Sequence, residues 1–310
     1  MDILPARREF AAAYESGRAQ VVWASLPADL DTPVSAMLKL GQDRPFTALL
    51  ESVQGGAVRG RYSFIALQPD LVWRCKGQRA EICRAVGALP LNYEACTKPT
   101  LASLRDLLAT SRIVLPDHLP PMAAGLIGYM GYDMVRQMEE LPAANPDALG
   151  LPDCMMIRPT VMAIFDSVRD EVTVTSPVYP AKGVSARAAY ARAQERVTEV
   201  VDALDRPLDH LAQRGDEAAP IAEARSNTSP ADYRAMVLKA KDYIAAGDIF
   251  QVVLSQRFET DFNLPPFALY RSLRRVNPSP FLYYLDFDRF AVIGSSPEIL
   301  VRVRDGKVTI

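Results

Sequence analysis

The sequence has little histidine and cysteine, which limits the metal and redox chemistry it can carry. Only two histidines occur among 310 residues, so a histidine-rich metal site or a serine–histidine triad has little raw material. The four cysteines include no CxxC pair, and without an export signal we expect reduced thiols. A structural disulfide and a histidine-based metal site are therefore disfavoured.

Long apolar runs and blocks of like charge are also missing. No apolar run reaches the roughly 18 residues that span a bilayer, and the N-terminus lacks the apolar core of a secretory signal. The 35 basic and 37 acidic residues give a net charge of −2, with no block of five or more of one sign. The sequence predicts a folded cytoplasmic protein and disfavours membrane insertion and nucleic-acid binding.

The pattern that is present predicts an α+β fold in which antiparallel β-sheets are covered by helices. Leucines at helical spacing predict a helix over 99–113, and Ser185 is expected to open a longer helix that ends near Leu204. Turns are predicted at 68–70 and 167–170. Alternating apolar residues predict strands at 46–53, 61–67, 71–75, 79–83, 155–166 and 171–175.

The strongest local signal is a helix that begins after the N-cap Ser229 and ends at Gly247. Residues 250–258 then alternate with period two, which predicts a strand with Gln251 on its polar face. Further along, the sequence predicts a helix over 266–275, a stiff loop over 277–280, a hairpin from strands 281–287 and 290–294, and strands at 299–304 and from 307.

Composition divides the chain into three regions. Residues 1–204 form an N-terminal region, and residues 205–228 lose the apolar pattern and are expected to be a linker or mobile loop. Residues 229–310 resume regular structure. Asp305-Gly306 is a type I′ turn signal with only four residues after it, so we expect the parent protein to continue beyond Ile310.

Several short segments follow one another in a characteristic order. They are Leu49-Leu50-Glu51-Ser52 with Gly60-Arg61-Tyr62-Ser63-Phe64-Ile65, then Gly125–Asp133, Gly247–Arg257, Asn277-Pro278-Ser279-Pro280-Phe281 and Gly294-Ser295-Ser296-Pro297-Glu298. Each alone is a weak signal. Together they resemble the anthranilate synthase component I family, the large subunits among the chorismate-utilising enzymes. The resemblance implies that 229–310 begins a chorismate-binding catalytic domain.

In that family the first and fourth segments line a pocket for tryptophan, the end product that inhibits the enzyme. The positions that carry over are Leu50, Glu51, Ser52, Pro280, Phe281 and Leu282. A hydroxyl and backbone carbonyls can hold an ammonium group while an apolar wall takes the indole. Without the resemblance, Ser52 would be interpreted as an ordinary strand residue and 277–280 as a structural turn.

The resemblance assigns catalytic roles to Gln251 and Glu298. The wider family has a lysine at the position of Gln251, where it activates water. Ammonia is already a nucleophile and needs no such base, which is consistent with glutamine in the anthranilate branch. Glu298 matches the general acid that protonates the departing C4 hydroxyl of chorismate. It must stay protonated near neutrality to do so, and we expect partial burial in the complete enzyme.

The implied reaction aminates chorismate and then eliminates pyruvate to give anthranilate. The family uses Mg²⁺, whose oxygen ligands are expected beyond residue 310, because this chain shows no convincing carboxylate cluster. A glutamine amidotransferase subunit is the implied ammonia donor. Gly125–Asp133 is either part of the contact with that subunit or a tightly packed strand and turn.

Two alternatives remain open from the sequence. Aminodeoxychorismate synthase, which makes the para isomer, shares much of this pattern, although the joined segments at 49–52 and 61–65 favour the anthranilate branch. Isochorismate and salicylate synthases are disfavoured because Gln251 is not lysine. The other alternative is a non-catalytic tryptophan-binding regulatory module. The 310-residue chain by itself is expected to lack turnover.

Overall fold

The computed structural model describes residues 1–41, 44–54, 58–87, 90–120, 122–142, 145–208, 223–304 and 306–310. The chain divides into two compact units. One comprises Met1–Leu208 with Pro266–Ile310, and the other comprises Asp209–Pro265. Within the described ranges, no helix combines the length and the apolar character that a membrane crossing needs.

The regular elements are as follows. The helices are α1 (Arg7–Glu15), α2 (Pro33–Gly41), α3 (Thr100–Thr110), α4 (Ala186–Leu204), α5 (Pro230–Ala246) and α6 (Pro266–Val276), and a 3₁₀ helix covers Tyr132–Gln137. The strands are β1 (Gln20–Pro27), β2 (Ala48–Glu51), β3 (Val53–Gln54), β4 (Val58–Arg59), β5 (Tyr62–Lys76), β6 (Arg79–Cys83), β7 (Glu94–Ala95), β8 (Ile127–Met130), β9 (Cys154–Asp166), β10 (Glu171–Val178), β11 (Arg225–Ser226), β12 (Phe258–Glu259), β13 (Phe281–Asp286), β14 (Ala291–Ser296), β15 (Arg302–Arg304) and β16 (Lys307–Thr309).

The first unit is built on one ten-stranded antiparallel sheet. Its main path runs β1-β10-β9-β5-β2-β13-β14, with β6 added beside β5, β7 beside β6 and β8 beside β9. Neighbouring residues on its strands bury side chains on opposite faces, as the two-residue period requires: Ile65 joins one core cluster and Phe64 another. Helices α2, α4 and α6 contribute Met37, Val197 and Tyr270 to the first of these clusters. The expected α+β fold with a helix-covered antiparallel sheet is confirmed.

The predicted turn at 68–70 is wrong. Strand β5 runs unbroken from Tyr62 to Lys76, and its pairing with β9 shifts register between Pro69 and Leu71. Gln68 has a positive φ of 50°, and Pro69 has no backbone N–H to donate. These two residues therefore bend the strand, but the long partner β9 keeps it paired on both sides of the irregularity.

The predicted strand at 250–258 is also wrong over most of its length. Only Phe258 and Glu259 are in a strand, paired with Arg225 and Ser226. The apolar side chains of the segment are mostly exposed: Phe250 is 93% exposed and Phe258 is 58% exposed. A strand needs a neighbouring strand to satisfy its backbone, and β11 offers only two residues in the described part of this unit.

Helix α5 of the second unit confirms its sequence prediction at both ends. The Ser229 hydroxyl accepts from the Asp232 backbone N–H at 3.1 Å, and Gly247 ends the helix with a φ of +83°. None of the residues of α5 is buried. Residues 209–222, which make up most of the predicted linker, lie outside the described residues.

Candidate functional site

The residues predicted to bind tryptophan come together through strand pairing in the first unit. Strand β13 lies between β2 and β14, and Glu51 of β2 is opposite Leu282 of β13. Leu50 is opposite Tyr283, and on the other side Phe281 is opposite Ser296. Segments more than 220 residues apart in sequence thus share one patch of sheet, because the antiparallel register places them in adjacent rows.

The Glu51 carboxylate is buried and held by two side chains of α6. Tyr270 donates its hydroxyl to Oε2 at 2.6 Å, and Arg274 donates from Nε at 2.7 Å and from Nη2 at 3.0 Å. Burial, followed by the Glu51 charge and hydrogen bond, raises the pKa of Tyr270 above its usual value. Burial opposes the charge of Arg274, but the bonds to Glu51 outweigh it and raise the Arg274 pKa. Both oxygens of the Glu51 carboxylate therefore accept hydrogen bonds, and one of the two donors is a positively charged arginine.

Ser52 lies directly after β2, beside a small cavity. The Gly60 backbone N–H donates to the Ser52 carbonyl at 2.7 Å. The cavity has a volume of about 120 Å³, and Ser52, Gly60, Glu51 and Arg274 contribute to its wall. That volume is below the roughly 300 Å³ at which ligand pockets usually begin. The space next to Ser52 is therefore smaller than a complete ligand pocket, and tryptophan binding there stays a prediction.

Tyr270 and Arg274 were not singled out from the sequence. They are four residues apart on α6, so both side chains point from one face of the helix toward Glu51. A tyrosine and an arginine at this spacing, just before the stiff loop at 277–280, are a usable sequence signal. Their partner lies 219 and 223 residues away, which no local pattern indicates.

Three serines connect the loop at 277–280 to the end of β14. The Ser279 hydroxyl, which is buried, donates to the Ser296 carbonyl at 2.9 Å. The Ser295 hydroxyl lies 2.8 Å from the Ser279 hydroxyl and also within hydrogen-bonding distance of the Asn277 carbonyl. The Ser296 hydroxyl donates to the Glu298 carbonyl at 3.0 Å. The loop and the segment that carries Glu298 are therefore bonded to each other.

The two predicted catalytic residues lie in different units, and both are exposed. Glu298 follows β14 in the first unit, and Gln251 follows the C-terminal end of α5 in the second. Glu298 lacks the partial burial that we expect in the complete enzyme. That the two side chains meet in one cavity stays a prediction.

The segment Gly125–Asp133 packs tightly in part. A methyl group at Gly128 would come within 3.0 Å of Met156 Cα and Met156 Sδ on β9, so β8 and β9 require glycine there. Tyr129 donates its hydroxyl to the Pro152 carbonyl at 2.7 Å, whereas Tyr132 is 87% exposed. The tightly packed strand is thus present, and contact with a partner subunit stays a prediction.

No metal centre can be assigned to the described part of the chain. It contains no group of three or more His, Cys, Asp or Glu side chains placed to hold an ion.

A second cavity, of about 910 Å³, is lined by Arg74, Tyr93 and Phe290 among others, and none of the predicted site residues contributes to it. The predicted chemistry and the more spacious cavity therefore lie apart.

Comparisons with known proteins give one consistent result. The family described as chorismate binding enzyme matches residues 68–310. Proteins named anthranilate synthase component 1 are similar to this chain: that of Cereibacter sphaeroides is 54% identical over 97% of this chain and 60% of its own length. That of Pseudomonas aeruginosa is 40% identical over 91% of this chain and 57% of its own length.

A solved structure agrees with the sequence relatives. The crystal structure of anthranilate synthase component I from Streptococcus pneumoniae superimposes with a TM-score of 0.64 at 27% identity, covering 91% of this chain and 59% of that chain. This chain spans about three fifths of the length of the relatives that it matches.

Proposed function

Because this chain belongs to the chorismate binding enzyme family, we propose that it is the larger part of an anthranilate synthase large subunit. The observation that carries the proposal is the 54% identity to a protein named anthranilate synthase component 1, sustained over 97% of the chain. In the complete protein, the substrates would be chorismate and ammonia, and the products anthranilate and pyruvate.

The proposed chemistry uses Gln251 and Glu298 in different steps. The Gln251 carboxamide accepts a hydrogen bond from ammonia and orients its lone pair toward C2 of chorismate. As the C2–N bond forms, both ring double bonds shift and the C4–O bond breaks. Glu298 gives its proton to the departing oxygen, which leaves as water, and the new ammonium group on C2 loses one proton to solvent. Loss of the proton on C2 together with cleavage of the C3–O bond then expels the enolpyruvyl group, which takes up a proton to become pyruvate, and the ring becomes aromatic.

Regulation by L-tryptophan is a separate part of the proposal. Its supports are the adjacency of Glu51, Leu282 and Ser295 across three strands and the cavity beside Ser52. The Glu51 carboxylate is already bonded to Tyr270 and Arg274, so its role is to fix the end of β2 rather than to meet the ligand ammonium. Ser52 and the carbonyls beside Pro280 are the groups that we assign to the ammonium.

The metal and the partner subunit are proposed on the resemblance alone. Mg²⁺ would hold a carboxylate of chorismate, but the described residues include no suitable set of ligands, so we assign none to this chain. A glutamine amidotransferase would supply ammonia. A cytoplasmic location likewise stays a prediction.

The proposal is tested in the complete protein, that is, the chain extended to the length of its relatives. With chorismate, ammonium and Mg²⁺, we expect anthranilate and an equal amount of pyruvate. Glu298→Gln should lower kcat at least about 100-fold, since general acid catalysis contributes about 10²–10⁴-fold. Glu139→Gln, at an exposed position, is the matched control and should keep full activity.

The product separates the remaining alternatives. Formation of para-aminobenzoate or its aminodeoxychorismate precursor would replace the proposal with the para branch. Binding of L-tryptophan by a complete protein that consumes no chorismate would support the regulatory module instead.

A further inference from the structure

The strand assigned to the inhibitor site is a direct neighbour of the segment that carries Glu298. Leu282 of β13 is opposite Glu51 on one side and opposite Ser295 on the other. One row of residues therefore crosses β2, β13 and β14. No side chain needs to lie between the two functions for a shift in β13 to reach β14, because the strands share backbone hydrogen bonds.

The loop that enters β13 is fixed at both ends of this row. On the β2 side, Arg274 at the end of α6 is bonded to the Glu51 carboxylate, three residues before Asn277. On the β14 side, Ser279 donates to the Ser296 carbonyl, and Ser296 in turn donates to the Glu298 carbonyl. A displacement of the loop must break one of these bonds or carry the Glu298 backbone with it.

The Ser295 hydroxyl has one proton and two acceptors within reach. The acceptors are the Asn277 carbonyl and the Ser279 hydroxyl oxygen, and the proton can point fully at only one of them. The Ser295 hydroxyl can therefore bond either to the Asn277 carbonyl or to the Ser279 hydroxyl, which gives the cluster two alternative hydrogen-bonding patterns. Coupling between two sites requires such a two-state element, which each ligand favours differently.

We propose that Ser279 and Ser295 are positioning residues that couple tryptophan occupancy beside Ser52 and Pro280 to the placement of Glu298. The inference rests on the proposed function, because it presupposes an inhibitor site and a catalytic Glu298. Tryptophan that contacts Pro280 and Phe281 shifts the loop, the serine cluster changes arrangement, and the 296–298 segment moves away from its catalytic position. Neither serine needs to touch either ligand.

The test measures the coupling itself, in the complete protein and without ammonia, so that chorismate binds but is not aminated. Calorimetry gives the Kd of L-tryptophan with and without saturating chorismate, and the ratio of the two is the coupling factor. We expect a factor of about 10 or more in the wild type, within the usual range for allosteric coupling. In Ser279→Ala we expect a factor below about 2, with the Kd in the absence of chorismate changed less than about threefold.

Further variants separate positioning from a general structural effect. Ser279→Thr retains the hydroxyl and should restore the coupling factor, and Ser295→Ala should lose it as Ser279→Ala does. Ser272→Ala, at an exposed position on α6, is the matched control and should behave as the wild type. If Ser279→Ala does not fold, the coupling factors of Ser295→Ala and Ser272→Ala still test the inference.

Three results would overturn the inference, and a fourth would refute the proposed function instead. A coupling factor that persists in both alanine variants overturns the inference, as does a factor near 1 in the wild type. Complete loss of tryptophan binding in Ser279→Ala also overturns it, because that residue would then belong to the ligand site. A wild-type protein that makes no anthranilate when ammonium is added refutes the proposed function instead.

Discussion

The buried Glu51 carboxylate depends on Arg274 for its charge partner. Only 5% of the Glu51 side chain is exposed, and Arg274 supplies two of its three hydrogen bonds. Removing one partner of a buried pair leaves an uncompensated charge, which costs about 3–5 kcal/mol. We therefore expect Arg274→Ala to lower the free energy of unfolding by about 3 kcal/mol, measured by urea denaturation.

The neighbouring Arg275 provides the control for this prediction. It is exposed on the same helix, so Arg275→Ala should change the free energy of unfolding by less than about 0.5 kcal/mol. Equal effects of the two substitutions would show that the Glu51 pair has no special role.

Tyr129 predicts a loss of stability at alkaline pH. Burial, and then the nearby Cys154 and Asp153, raise its pKa to about 12. The unfolded chain releases the proton near pH 10, before the folded one does, so the stabilisation is complete below about pH 10 and is lost as the pH rises through about 12. We expect Tyr129→Phe to flatten the decline of unfolding free energy between these values.

At neutral pH, Tyr129→Phe should lower the free energy of unfolding, although at alkaline pH it should reduce the decline of that quantity. Loss of the hydrogen bond to the Pro152 carbonyl should cost about 1 kcal/mol at pH 7. Tyr132→Phe, at 87% exposure, should change neither the neutral value nor the alkaline slope. An unchanged slope in Tyr129→Phe would contradict the prediction.

At the scale of single elements, the sequence was a good guide wherever local chemistry sets an end. Ser229 caps the start of α5 with its side chain, and Gly247 ends the helix in a left-handed conformation. Both residues directly adjoin the helix in sequence. The 250–258 segment had an equally clear period, but a strand is defined by a partner that its own residues do not specify. The turn predicted at Gln68-Pro69 is wrong for the opposite reason. The residues do bend the chain, but the partner strand β9 keeps the bent segment paired.

The end of β2 supplies a prediction about the inhibitor site. A methyl group at Gly60 would fall within 3.0 Å of Cβ and Oγ of Ser52, so Gly60→Ala must displace that serine. We expect the Kd for L-tryptophan to rise at least tenfold in the complete protein, measured by calorimetry. That corresponds to loss of one well-placed contact worth about 1.4 kcal/mol.

Gly87→Ala is the matched control for Gly60→Ala. A methyl group there meets no atom within 4 Å, so tryptophan affinity should not change. Unchanged affinity in Gly60→Ala as well would remove Ser52 from the inhibitor site while leaving the catalytic assignments standing.

For the molecule as a whole, the hydrophobic pattern predicts the fold class, whereas the convergence of 50–52 with 280–282 is predicted only through the resemblance. The partners of Glu51 were missed because they lie 219 and 223 residues away. The two-unit division was not anticipated either: 266–310 joins the first unit, since β13 pairs with β2. Long-range strand pairing determines both the partners of Glu51 and the unit to which 266–310 belongs. The hydrophobic period of a segment does not specify which distant strand it pairs with.

The surroundings of Gln251 in the second unit bear on the activity of the 310-residue chain by itself. The chain spans about three fifths of the length of its relatives, and around Gln251 the side chains of Phe250 and Val253 are 93% and 83% exposed. A site that orients ammonia must exclude water and hold its groups rigidly, which a segment with such exposed side chains does not do. We therefore expect no anthranilate from this chain with chorismate, ammonium and Mg²⁺, measured by product fluorescence beside the complete protein as a positive control. Turnover by the 310-residue chain would show that Gln251 and Glu298 already form a working site within it.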